Sequence, residues 1–191
     1  MRFSFAACLC LMAAVLGPPS LWAGTTATQA FDGKPSAEYA GVALPLRGAT
    51  RYSYMLWDLY DIGLYVEREA GDRVLSGSVP KHLELRYLRN IDRSDFVAAA
   101  SAVLERNLDK SALSSIRERV ETFHAAFRDV AADDRYVLSY RPGKGTTLFF
   151  NGRIVCEIEG ADFAAAYFGI WLGTKPLDED MKAELLADRE Q

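Results

Sequence analysis

The sequence predicts an α+β fold in which a large antiparallel sheet carries a layer of helices on one face. Three observations lead there. Strand-like segments come first, then two helix-like segments, three strands and two more helices; hairpins separated by helical pairs suit an antiparallel sheet covered on one side. Asn151-Gly152 separates two alternating segments, and this dipeptide is a strong two-residue hairpin signal because both positions tolerate positive φ. Leu113, Ile116, Val120, Phe123 and Phe127 recur at spacings of three and four, the stripe of a helix lying on a core.

The chain opens with Arg2, an apolar run from Phe5 to Leu16, then Gly17-Pro18-Pro19 and the small Ala23. This is the layout of a secretory signal, expected to be cleaved after residue 23 and too short to span about 30 Å of hydrocarbon. Residues 24–39 are expected to form a flexible lead-in, and residues 40–191 a single domain. From Ala40 to Glu67 aromatic and β-branched residues dominate, giving two strands with a bend or bulge near Asp58. Gly71-Asp72 and Ser76-Gly77-Ser78 mark a turn. Lys81 to Arg89 alternates, with Leu83, Leu85 and Tyr87 opposite Glu84 and Arg86, as a half-buried strand does. A helix capped by Asp92 or Ser94 runs to Asn107 with Phe96, Ala100, Val103 and Leu104 inward. A second spans Ser114 to Arg128. Strands follow over 135–140, 146–150 and 153–158. A third helix starts at Ala161 and ends before Gly173, and a short one covers Leu177 to Ala187.

Without Arg2, 21 basic residues face 26 acidic ones, a formal net charge of −5. No basic cluster could neutralise phosphates, which argues against a nucleic-acid partner. Cys8 and Cys10 would leave with the signal, so Cys156 remains as a single structural thiol in a strand. His82 and His124 lack companions at ligand spacing, so no metal is expected, and no motif calls for a cofactor. Gly143-Lys144-Gly145-Thr146 links two strands where a phosphate-binding loop would lead into a helix, and reads as a hairpin turn.

Two segments stand above this background: Leu46-Arg47-Gly48 followed by Trp57 through Glu67, and Asp162-Phe163 through Leu177. Together with Lys81 through Ile91, and with Gly143 through Gly152, they resemble the chalcone isomerase-like proteins of bacteria. The resemblance runs from about Gly41 to Leu186. It implies an open-faced sandwich with an apolar cleft between sheet and helices. In chalcone isomerases that cleft closes a flavanone ring, with an arginine activating a phenolate, a threonine and a tyrosine polarising the carbonyl, and an asparagine and second threonine touching the far ring. Non-catalytic plant relatives hold fatty acids there, with the arginine facing the carboxylate. The resemblance places the arginine on Arg47 and the first threonine on Tyr60. The tyrosine and asparagine fall near Phe96 and Val103, and the second threonine near Ile170.

Enone cyclisation needs donors aimed at the developing oxyanion, each worth about 3–4 kcal/mol, and Phe96, Val103 and Ile170 cannot donate. The expected function is therefore an exported, periplasmic, non-catalytic protein binding a fatty acid or similar apolar carboxylate, with Arg47 and Tyr60 at the polar end. The alternatives are an isomerase- or lyase-type enzyme using Tyr60 as donor, and an envelope structural or interaction protein with a vestigial cleft.

Overall fold

The computed structural model describes residue 31 and residues 36–187; the expected signal at 1–23 lies outside the described residues. Seven strands follow one another in an antiparallel meander whose spatial order is the chain order. They are β1 (Ser36–Tyr39), β2 (Val42–Tyr54), β3 (Trp57–Tyr65), β4 (Lys81–Tyr87), β5 (Arg135–Arg141), β6 (Gly145–Phe150) and β7 (Arg153–Ile158). Helices α1 (Arg93–Asn107) and α2 (Lys110–Ala125) join β4 to β5, while α3 (Ala161–Leu172) and α4 (Glu179–Leu186) follow β7.

β1 forms inside the expected lead-in. Its four residues pair with Val42–Pro45 across a turn in which Ala40 and Gly41 both take positive φ. The Asn151-Gly152 turn has the same signature, with φ of 48° and 78°. α2 starts a turn earlier than the apolar stripe suggests, because Asp109 caps it by accepting from the Ala112 amide at 2.8 Å.

Two bulges shape the long β2–β3 hairpin. One lies at Leu59 beside Asp58, where Tyr52 pairs with Tyr60 but Ser53 with Asp58. The other makes Arg47 the extra residue, since Leu46 pairs with Tyr65 and Gly48 with Leu64. A bulge re-aims a side chain and reverses the face on which the alternation continues.

Between sheet and helices lies the main core, with Ile62, Leu64, Leu83, Phe123, Phe163 and Phe168 all fully buried. The other face holds a small apolar group around Phe31, Leu44, Ala49 and Tyr65. Beside it are two fully buried carboxylates, each paired: Asp61 accepts from Arg51 at 2.7 Å, and Glu84 from Arg135 and from the Tyr39 hydroxyl at 2.8 Å. A buried carboxylate persists as an ion only when it is so paired. Among the described residues no helix is long and apolar enough to cross a membrane.

Candidate functional site

Alternation on the sheet and spacing on the helices converge on one cavity. On β2 and β3, Tyr52, Tyr54 and Tyr60 project toward the helices; on β4 and β5, Leu85, Tyr87, Tyr136 and Leu138 do the same. The α1 wall is Asp95, Phe96, Ala99 and Ala100, and the α3 wall is Tyr167, Ile170 and Trp171, with Ile91, Leu59, Phe127 and Leu177 completing the lining. The enclosed volume is about 150 Å³. It exists because α1 presents alanines where the opposite wall presents rings. The sheet and α3 walls are mostly buried, whereas Tyr52, Tyr54, Asp95, Phe96, Ala99 and other lining residues of the α1 side are partly exposed and mark the mouth.

α1 is fastened at both ends. Arg93 donates to the His124 carbonyl at 3.0 Å, and the Asn107 side-chain amide donates to the Lys175 carbonyl at 2.7 Å. Around the cavity the rings pack edge-on or tilted, with Tyr52–Tyr60 centroids 5.2 Å apart, Tyr60–Tyr87 5.9 Å and Phe127–Tyr136 4.9 Å.

Its polar groups are phenols and one carboxylate. The Trp171 indole N–H donates to the Tyr60 oxygen at 3.3 Å, and the Arg128 amide donates to the Tyr136 oxygen at 3.0 Å. Burial raises the pKa of several of these phenols: Tyr52 is pushed up to about 12, and Tyr60, Tyr87 and Tyr167 well above the ordinary phenol value. For Tyr60 the Trp171 hydrogen bond opposes that rise without cancelling it. Tyr52, Tyr60, Tyr87 and Tyr167 are therefore neutral at physiological pH and can donate, but not act as bases. Among the described residues no arginine, lysine, histidine or cysteine lines the cavity, and Asp95 is its only charged member.

Of the residues picked from the sequence, the structure brings together Tyr60, Phe96 and Ile170 on the cavity wall. Val103 is buried in the main core, outside the lining. Arg47 is outside the lining too. As the bulge residue of β2 it turns toward the end of α4, donating through Nε to the Leu186 carbonyl at 3.1 Å and through a terminal nitrogen to the Gly71 carbonyl at 3.4 Å. α4 comes close here because Gly48 has no side chain: a Cβ would lie 2.4 Å from the Glu184 carbonyl oxygen. A cation on the last carbonyls of a helix favours its C-terminal dipole. Arg51, not Arg47, pairs with Asp58 and Asp61.

Sequence reasoning missed Tyr52, Tyr54, Tyr87, Tyr136, Tyr167 and Trp171 as site residues. Each fits an inward position of its element and so reads as ordinary core. The available signal was their joint excess: six inward rings with polar tips, opposite a helix carrying Ala98-Ala99-Ala100.

His124 is buried against Tyr167, with its pKa driven down to about 4 by burial and by Arg93. His82, on the far face, holds the Val42 carbonyl at 2.9 Å. No cluster of His, Cys, Asp or Glu suited to a metal ion occurs among the described residues.

Among curated proteins none matches the chain in sequence. Solved structures do match in fold. A fatty-acid binding protein of Arabidopsis thaliana superposes with a TM-score of 0.61 at 13% identity, over 79% of this chain and 95% of that one. The model of one family, described as chalcone isomerase-like, matches residues 25–187. The chain belongs to the chalcone isomerase-like family.

Proposed function

We propose that this protein is a non-catalytic binder of a fatty acid or similar apolar acyl ligand, held in the cavity between sheet and helices, and that it works in the periplasm after export. The observation that carries the reading is the lining: aromatic and aliphatic walls, neutral phenols and no cation. A ring-closing isomerase needs a group to steer and activate a phenolate, and nothing in this wall supplies one. The fold it shares with a fatty-acid binding protein supports the same choice of ligand class.

The lining also sets the pose. With Arg47 engaged on α4 and Asp95 at the mouth, a carboxylate has no cationic partner in the described lining, and a charge is costly to bury without one. The acid enters tail first and leaves its head in water. A cavity of about 150 Å³ matches the engineered apolar cavity of similar size that takes one benzene ring, and so holds about six carbons. At about 0.8 kcal/mol per buried methylene these contribute about 5 kcal/mol before the costs of association.

The test is displacement of a fluorescent fatty acid by a chain-length series, with native mass spectrometry for stoichiometry. Affinity should climb about fourfold per carbon, the equivalent of 0.8 kcal/mol, then flatten once the cavity is full. Absence of binding at every chain length would end the carrier reading. Export is checked separately, by the N-terminal sequence of the protein recovered from osmotic-shock fluid; an uncleaved chain confined to the cytoplasm would refute it.

A further inference from the structure

The β2–β3 hairpin ends in a turn whose residues contradict turn chemistry. Tyr54 pairs with Trp57, leaving Met55 and Leu56 as the two connecting residues. Met55 takes a φ of 55°, the left-handed region that favours glycine, and does so at the first turn position only. Two-residue hairpin loops of that kind favour glycine there and small polar residues next. The Ala40-Gly41 and Asn151-Gly152 turns of the same sheet, with positive φ at both positions, use small or polar residues with glycine second. Here, instead, Met55, Leu56 and Trp57 stand 81%, 93% and 58% exposed. Three consecutive large apolar side chains in water, at a position where small polar residues would be easier to accommodate, need an apolar partner.

The surroundings identify that partner. The hairpin that bears the tip also supplies Tyr52, Tyr54, Leu59 and Tyr60 to the cavity, so the tip adjoins its mouth. The Arg89 guanidinium lies over the Trp57 ring, 4.5 Å from its centroid. Tyrosine, tryptophan and a stacked arginine around an apolar point suit the boundary between headgroups and acyl chains, where amphipathic rings settle and a cation meets phosphate. Three side chains also fall far short of the roughly 800 Å² per partner that a specific protein interface buries.

We propose that the Met55–Leu56–Trp57 tip inserts into the surface of a lipid bilayer, with Arg89 among the headgroups, and so brings the cavity mouth to the level of the acyl chains. This goes beyond ligand binding and stands or falls apart from it, because vesicles free of fatty acid suffice to test it. The protein is mixed with phosphatidylcholine vesicles, with and without phosphatidylglycerol and with brominated acyl chains. Partition is read by co-sedimentation and depth by tryptophan quenching. The comparison is Met55→Gly/Leu56→Ser, a pair that fits the turn better and so folds at least as well. The wild type should pellet with vesicles and show bromine quenching that Trp57→Phe removes. The double variant should lose at least tenfold in partition while its melting temperature holds or rises. Equal partition of the double variant, or quenching that survives Trp57→Phe, would overturn the proposal. So would a concentration-dependent dimer in sedimentation velocity that the double variant abolishes, since that would make a second copy of the chain the partner.

Discussion

Replacing Arg47 with methionine separates two roles that the family resemblance and the structure assign to it. Methionine keeps an unbranched stem through the bulge and removes only the guanidinium. The hydrogen bond to the Leu186 carbonyl, 3.1 Å long, is charge-assisted and partly buried, and such bonds are worth about 1.5–3 kcal/mol. The bond to the Gly71 carbonyl, at 3.4 Å, adds little. A cation at the end of α4 contributes up to about 1 kcal/mol through the helix dipole. A loss of about 2–3 kcal/mol follows, and a chain of this size should melt roughly 5–10 °C lower. Hydrogen exchange should locate the damage in α4 and its contact with β2. Fatty-acid affinity should stay within about threefold, since Arg47 is not in the cavity wall. The assays are thermal unfolding and ligand displacement on the same preparation. A variant with an unchanged melting temperature and a tenfold loss of affinity would refute the reasoning and return Arg47 to the carboxylate.

Three other perturbations probe the cavity and the core. Ala100→Leu puts a branched side chain into the α1 wall and should lower affinity for a medium-chain acid at least tenfold, with unfolding free energy changed by about 1 kcal/mol or less; titration and urea unfolding read the two effects. Asp95→Asn removes the only charged side chain among the described residues of the lining, so an acid anion at the mouth should bind two- to threefold tighter at low salt, with the gain fading above about 0.5 M salt. Lys81 is fully buried over the Tyr140 ring, donates to the Val79 carbonyl at 2.8 Å, and has its pKa lowered to about 8 by burial. Between pH 8 and 9.5 the unfolded chain therefore binds more protons at this residue than the folded one. Stability from this group rises with pH over that window by about 1 kcal/mol, before tyrosine ionisation in the unfolded chain reverses the trend. Urea unfolding at pH 8.0 and 9.5 should show the rise in the wild type and a flatter profile in Lys81→Met.

Much of the fold was legible because local and tertiary demands coincide. Asn151-Gly152 takes the positive φ pair that its turn requires, and the stripe through Ile116, Val120 and Phe123 is the buried face of α2. β1 was hidden because Ser36–Tyr39 is four residues long with a weak pattern, and its pairing with β2 is visible only once the Ala40-Gly41 turn is seen. The early start of α2 depends on one cap, Asp109, which lies outside the apolar stripe. At the site the difficulty is different. A cavity is a shortage of atoms, and the residues that create it, Ala99 and Ala100, are the least informative in the sequence. Tyr60, Phe96 and Ile170, picked by resemblance, lie on the cavity wall, whereas Arg47 lies off it, because a single inserted residue in β2 turns that side chain toward α4.

That inserted residue has a consequence for ligand chemistry. In a cleft with an inward arginine, the carboxylate is the anchor and the tail takes what room remains. With the guanidinium on the carbonyls of Leu186 and Gly71, the proposed binding makes the tail the anchor and moves selectivity from charge to shape. The neutral Tyr60, Tyr87 and Tyr167 phenols do not reverse this, because an uncharged hydroxyl donates to an acid and to an alcohol alike. An acid and the alcohol of equal chain length should therefore bind within about threefold of each other. A cation-anchored site would instead favour the acid strongly, since a charge-assisted bond of 1.5–3 kcal/mol corresponds to about ten- to a hundredfold. Competition between the paired acid and alcohol measures this ratio directly. A preference for the acid of tenfold or more would show that a cation reaches the bound head, and the tail-first pose would have to be abandoned.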